Sequence, residues 1–474
     1  MSTSTQSAQN LLASRKLNHV VVLGANGTMG FGSGVLFTQA VPRVTFLART
    51  KEKADQGLAA AKAMVRSNTV SQRVDTGGYE DLEKVCADAD LIFEAVTEQL
   101  ALKQEFFARV DAARRPDSIV ATVTSGLSIN TLAEGRSESF RKNFLGLHFF
   151  NPPNVIVGTE LIANKDTDPG LLDFIEAYSE KKLGRTMIRT HDTAGFAGNR
   201  VGFKVLNECA ILAEQHGPAL VDKIVGPYTG RALTPLATVD LVGWDIHRAI
   251  VDNIVALTKD EAHDTLKLPK YMAELMDKGT LGNKSGRGFF MRDGKRKLAL
   301  IPGTDRYQPV DEIKFPDLSY IAEIAELHRI GRYDAAMAAF VAAKGPEADL
   351  ARKVISGYIS YSFHRVGECT DTITGIDLIM GQGFNWAPPS VLVDTIGLAS
   401  RASPCPPSWR TPRRARASST TPPSTSASSS SPAERRFHQQ RRRKSRCPKK
   451  FISLVVTRPT SPATGARSAS TSWP

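Results

Sequence analysis

Gly24-Ala25-Asn26-Gly27-Thr28-Met29-Gly30 follows the short β-branched run His19-Val20-Val21-Val22-Leu23 and opens a stretch of helical pattern. Glycines at such a junction let the chain turn tightly and approach a phosphate, while the free N–H groups at a helix start favour an anion. The expected ligand is a nicotinamide dinucleotide, its pyrophosphate held over Gly24, Gly27, Thr28, Met29 and Gly30. The spacing is G-x-x-G-x-x-G rather than G-x-G-x-x-G. At the end of the next predicted strand, where an acid ordinarily binds the ribose hydroxyls of NAD, stand Ala48 and Arg49. Without the acid a 2′-phosphate is no longer repelled, and a guanidinium can bind it. NADP is therefore an alternative to NAD; the plainer alternative is a solvated Arg49 with NAD bound regardless. His148 is the second chemical candidate, at the end of Phe144-Leu145-Gly146-Leu147. Imidazole exchanges a proton near neutrality, but a lone histidine in that setting reads as a packed structural residue.

These residues need elements to hold them. Strands are expected at 19–23, 44–47, 91–93, 118–122 and 144–148, separated by helical stretches such as 51–67 and 100–113. Strands alternating with helices imply an α/β domain with a Rossmann-type, doubly wound parallel sheet, and ligands bind beyond the carboxyl ends of its strands. His148 lies at such an end. From about residue 194 the pattern turns helical, with segments at 206–215, 221–224, 249–257 and 271–278. Pro235, Asp240 and Gly243 recur at the same spacing as Pro389, Asp394 and Gly397, which predicts a partial second helical unit. Asp240 and Asp394 are expected to cap or pack their units. The expected organisation is a flexible N-terminus at 1–17, a dinucleotide-binding domain at 18–193, a helical domain at 194–292, a linker with the partial second unit at 293–399, and a tail at 400–474.

The net charge of +13 is misleading about partners. Residues 401–474 hold 16 Lys+Arg against one acid, Glu434, leaving 45 basic and 47 acidic side chains in the other 400 residues. The body is near neutral, so nothing in its charge favours nucleic acid. The tail is Pro-, Ser-, Thr- and Arg-rich, reads as disordered, and is expected to contribute nothing to catalysis. A shifted reading frame in GC-rich DNA and a natural basic tail would each produce so abrupt a change. Cysteines at 86, 209, 369, 405 and 447 have no metal-ligand spacing and are expected to be reduced thiols. There is no apolar run of membrane-spanning length and no signal-peptide core. A cytoplasmic protein is the expectation.

Further segments occur in a specific order: Glu94-Ala95-Val96-Thr97-Glu98, Thr124-Ser125, Gly146-Leu147-His148-Phe149-Phe150-Asn151-Pro152, Asn199-Arg200 and Gly282-Asn283-Lys284-Ser285-Gly286-Arg287-Gly288-Phe289. With the glycine turn, they make residues 18 to about 292 resemble the 3-hydroxyacyl-CoA dehydrogenase family. The resemblance implies interconversion of (S)-3-hydroxyacyl-CoA and 3-ketoacyl-CoA with NAD(P), in fatty acid β-oxidation. Oxidising a secondary alcohol needs a base for the hydroxyl proton, and His148 fits that role. Glu160, 12 residues on, fits an acid that fixes the ring's tautomer and stabilises the imidazolium. The resemblance assigns Ser125 and Asn199 to the substrate oxygen and thioester, and places Asn151 in the same pocket. Glu98 and Lys103 match positions lining the cofactor site; Lys103 would pair with a cofactor phosphate or ribose, or be a solvated helix charge. Val123 departs from the family, which usually has Asn there. Lys51, Lys53, Lys62 and Arg66 are candidates for the CoA phosphates, or a solvated face. A homodimer is implied, since relatives commonly pair through the helical domain. Two rivals stand beside this reading: a dehydrogenase of another 3-hydroxy acid without CoA, and a scaffold or nucleic-acid-binding protein acting through the tail.

Overall fold

The computed structural model describes residues 11–13 and 15–396; the expected tail and most of the expected N-terminal segment lie outside them. The strands are β1 (His19–Leu23), β2 (Arg43–Ala48), β3 (Val74–Gly78), β4 (Leu91–Glu94), β5 (Ile119–Thr122), β6 (Phe144–Phe149), β7 (Gly158–Ala163) and β8 (Thr186–Thr190). They form one sheet in the order β3-β2-β1-β4-β5-β6-β7-β8, parallel except between β6 and β7. Helices α1 (Thr28–Thr38), α2 (Lys51–Met64) and α3 (Leu100–Ala113) make the first crossovers. Val20 and Val22 face one apolar cluster and Val21 and Leu23 the other, so the sheet is covered on both faces. That double burial is why the central strands read as unbroken apolar runs.

The second half is built on α4 (Gly198–His216), whose buried residues run nearly its full length. Around it lie α5 (Pro218–Ile224), α6 (Pro235–Val242), α7 (Trp244–Leu257) and α8 (Pro346–His364), followed by α9 (Ile373–Gln382) and α10 (Pro389–Ile396). An antiparallel sheet of β9 (Phe290–Asp293), β10 (Arg296–Leu300) and β11 (Tyr307–Pro309) lies between them in sequence. The boundary expected after residue 292 therefore falls inside a strand, and part of the expected linker is sheet.

The repeat is structural. Asp222 accepts from Leu236 N at 2.7 Å and Thr234 Oγ1 at 2.5 Å and so caps α6. Asp377 caps α10 in the same way, accepting from Ser390 N at 3.0 Å and from the Ser390 hydroxyl. The turns before these helices pair with each other, Ala232 N donating to Asn385 O and Ala387 N to Gly230 O. Arg231 is buried there with its guanidinium 3.9 Å from the Trp386 ring centre. The expectation for the two repeated aspartates holds for Asp240 and needs correcting for Asp394. Asp240 is a packing acid, accepting from Trp244 Nε1 and from the N–H groups of Phe289 and Phe290. Asp394 is exposed and neither caps nor packs its unit, whose helix is capped by Asp377.

Burial pushes the Asp240 carboxyl from its ordinary 3.8 up to about 6, against those three donors. A carboxyl whose folded value is raised contributes stability below its ordinary value, and that contribution is lost as pH rises through 6. Asp240→Asn does not titrate. It should therefore cost roughly 2–3 kcal/mol more at pH 4 than at pH 7. Urea unfolding of both proteins at the two pH values checks this; a pH-independent penalty contradicts it.

Candidate active site

The glycine turn divides into two kinds of glycine. A Cβ on Gly24, whose φ is +77°, would collide with Ala95 O, and a Cβ on Gly30 would collide with Gly24 O. Close packing of the chain requires both. Gly27 is exposed, and a Cβ there would meet only Gly24 O at an ordinary 3.5 Å. What it leaves open is the approach over the N-terminus of α1, where Thr28 is exposed, Met29 is partly buried and no side chain caps the helix. A pyrophosphate fits that opening. At the end of β2, Ala48 is buried while Arg49 is exposed, with no hydrogen bond or ion pair among the described residues.

Lys103 departs from one of its two expectations. It projects from α3 but is 1% exposed, with Nζ 2.7 Å from Glu94 Oε1, 3.2 Å from Val96 O and 3.2 Å from Glu98 Oε2. It is not a solvated helix charge, because its three donors are all engaged by neighbours on the β4 side. Glu98 accepts from Thr124 Oγ1 at 2.5 Å and from Ser125 N at 2.8 Å. Burial alone would raise the Glu98 carboxyl, but Lys103 and these donors outweigh it and hold it below its ordinary value. The run Lys103, Glu98, Ser125 thus fixes the loop after β5. Asn199 Nδ2 donates to Ser125 O at 3.1 Å, tying the start of α4 to the same loop.

β6 and β7 pair antiparallel in a register that sets His148 opposite Glu160. His148 is 5% and Glu160 0% exposed. His148 Nδ1 lies 2.6 Å from Glu160 Oε2, which leaves Nε2 as the ring atom open to a ligand. Glu160 Oε1 accepts from Ala197 N at 2.9 Å and Gly198 N at 3.0 Å, at the N-terminus of α4. Helix-start N–H groups suit a carboxylate. The rings of Phe150 and Phe196 flank the imidazole, 5.1 and 5.5 Å away between centres. Asn151 sits just past β6, exposed.

The structure thus brings His148 to Glu160, and Asn199 to Ser125. Glu94, Phe196 and the Ala197–Gly198 amides were not expected in these roles. Glu94 had a signal, an acid closing an apolar strand; backbone amides have none. Of the basic residues proposed for CoA, Lys51 pairs with Asp55 and Lys53 with Gln56, while Lys62 and Arg66 remain exposed.

A family model for the NAD binding domain of 3-hydroxyacyl-CoA dehydrogenase matches residues 19–193, and one for its C-terminal domain matches residues 195–292. A probable 3-hydroxyacyl-CoA dehydrogenase of Deinococcus radiodurans is 32% identical over 298 residues, 60% of this chain and 85% of that protein. The chain belongs to the 3-hydroxyacyl-CoA dehydrogenase family. A probable 3-hydroxyacyl-CoA dehydrogenase of Bacillus subtilis is 31% identical over 421 residues, 82% of this chain and 52% of that protein. The chain spans about half the length of that relative. The fold is also that of the crystal structure of 3-hydroxybutyryl-CoA dehydrogenase from Escherichia coli K12, with a TM-score of 0.60 and 18% identity, covering 81% of this chain and 95% of that one. No helix among the described residues is long and apolar enough to cross a membrane.

Proposed function

We propose that this chain interconverts (S)-3-hydroxyacyl-CoA and 3-ketoacyl-CoA with NAD in the β-oxidation of fatty acids. The observation that carries this is the buried His148–Glu160 pair, which leaves Nε2 open and is tied through the Ala197 and Gly198 amides to the turn that carries the Asn199–Ser125 contact. Gly24, Gly27, Thr28, Met29 and Gly30 hold the cofactor pyrophosphate, with Glu98 and Lys103 shaping the nicotinamide side. NAD, when bound, supplies the hydride acceptor. His148 Nε2 takes the hydroxyl proton, or returns it in reduction, and Glu160 stabilises the imidazolium so formed. The Ser125 hydroxyl and Asn199 amide donate to the substrate oxygens, and Asn151 closes the pocket. We further take the enzyme to be cytoplasmic and homodimeric. The turns at Gly230 and Ala387 face each other within one chain, so a dimer interface must use other surface.

The test is oxidation of NADH by acetoacetyl-CoA. Turnover with the CoA ester and little with free acetoacetate is the expected result; equal rates would favour the rival 3-hydroxy-acid enzyme. Arg49 gives a second expectation. With no acid at Ala48 and a free guanidinium beside it, Arg49→Ala should weaken NADPH more than NADH, by roughly 1–3 kcal/mol for one charged hydrogen-bonded contact. Binding titrations of both cofactors decide it; equal losses would remove the NADP alternative.

A further inference from the structure

We infer that the second helical unit buttresses the active site from behind, with Phe384 and Tyr361 acting as positioning residues for His148 and Asn199. Two independent sets of contacts lead to this. The first is aromatic. The ring of Phe384, just past α9, lies 5.6 Å from that of Phe150, which lies 5.1 Å from the His148 ring. Phe150 is wedged in place by glycines: a Cβ on Gly198 would come within 2.7 Å of its Cζ, and a Cβ on Gly383 within 2.7 Å of its Cε2. A Cβ on Gly202 would collide with the Phe384 ring itself. Rings in such close packing cannot shift alone.

The second set is polar and centres on Arg200, the residue after Asn199. Arg200 is 1% exposed. Its Nη2 lies 2.7 Å from Asp260 Oδ2 and 2.8 Å from Glu368 Oε1, and its Nε donates to the Tyr361 hydroxyl at 2.8 Å. That hydroxyl donates onward to Asp260 Oδ2 at 2.7 Å. Tyr361 is on α8 and Glu368 just beyond it, so the second unit grips the first turn of α4. The backbone entering that turn is left-handed at Gly195 and at Phe196, φ +72° and +49°. Phe196 carries a side chain in a region costly for one, and the same turn presents the Ala197 and Gly198 amides to Glu160. A costly backbone shape persists where its surroundings enforce it. Here Arg200 on one side and Phe384 with Phe150 on the other enforce it.

This inference rests on the dehydrogenase reading, so wild-type enzyme is assayed in parallel; its inactivity with acetoacetyl-CoA would overturn that reading and this inference with it, whereas active wild type with unaffected variants would overturn the inference alone. With active wild type, Phe384→Ala should lower kcat by about tenfold or more, since small misplacements of reacting groups cost that much. KM for acetoacetyl-CoA and NADH affinity should stay within about twofold, because neither ligand is touched. Phe384→Tyr, which restores the ring, should recover most of kcat. Tyr361→Phe keeps packing and removes one hydroxyl; it should lower kcat by at least about threefold with the same KM, and it carries the test if Phe384→Ala does not fold. Unchanged kcat in a folded Phe384→Ala or in Tyr361→Phe overturns the inference. So does a change confined to KM, or failure of Phe384→Tyr to restore turnover.

Discussion

His148→Gln is expected to fold, to bind NADH as the wild type does, and to lose at least about 10²-fold in kcat. Glutamine approximates the size of the ring but cannot take a proton at the Nε2 position. Glu160 would keep its two amide donors at Ala197 and Gly198, so the turn at the head of α4 should survive the substitution. The loss should therefore appear in kcat and kcat/KM together, with KM little changed, the pattern of an interaction made only in the transition state. A variant retaining more than about a tenth of wild-type kcat would contradict a base role, because acid–base catalysis contributes a larger factor than that.

Lys103→Met should produce the largest loss of stability. Glu94 is fully buried and accepts from Lys103 Nζ, from Val96 N and from Thr122 Oγ1 at 2.6 Å. Deleting the ammonium leaves this carboxylate uncompensated in the interior, which costs about 3–5 kcal/mol. Glu98 loses its cation at the same time, and the Thr124–Ser125 loop loses a fixed anchor. Glu94→Gln combined with Lys103→Met removes both charges and should recover most of the lost stability. Urea unfolding measures this; a single-variant loss below about 1 kcal/mol would show that the pair is more hydrated than its burial implies.

The central strands were legible because β1, β4, β5 and β6 are buried on both faces and composed accordingly. The missed strands lack that signature. β3 is Val-Asp-Thr-Gly-Gly at a sheet edge, and β7 carries a charged residue, Glu160, at its centre. The strand that supplies the partner of His148 was thus hidden by the very acid that makes it functional. The His148–Glu160 pair could still be found, since motif and spacing were enough once the family resemblance was seen. Lys103 could not be placed from sequence. A lysine on an amphipathic helix looks solvated until the fold shows that β4 ends beneath it in Glu94. Arg200 stood in a matched motif without a role, because its partners Tyr361 and Glu368 lie more than 160 residues away.

The distance between those partners also governs the order in which the protein can be completed. His191 donates its backbone N–H to Cys369 O at 2.8 Å, across nearly 180 positions of chain. Ribosomes add about 5–20 residues per second, so roughly 10–40 s pass between the emergence of one partner and of the other. During that interval the first sheet and α4 are already made. Gly158, Gly198 and Gly202 then present bare backbone troughs that Gln382, Ile379 and Phe384 fill only later. The newborn chain carries this seam open for roughly 10–40 s, an interval in which exposed apolar surface is prone to aggregate.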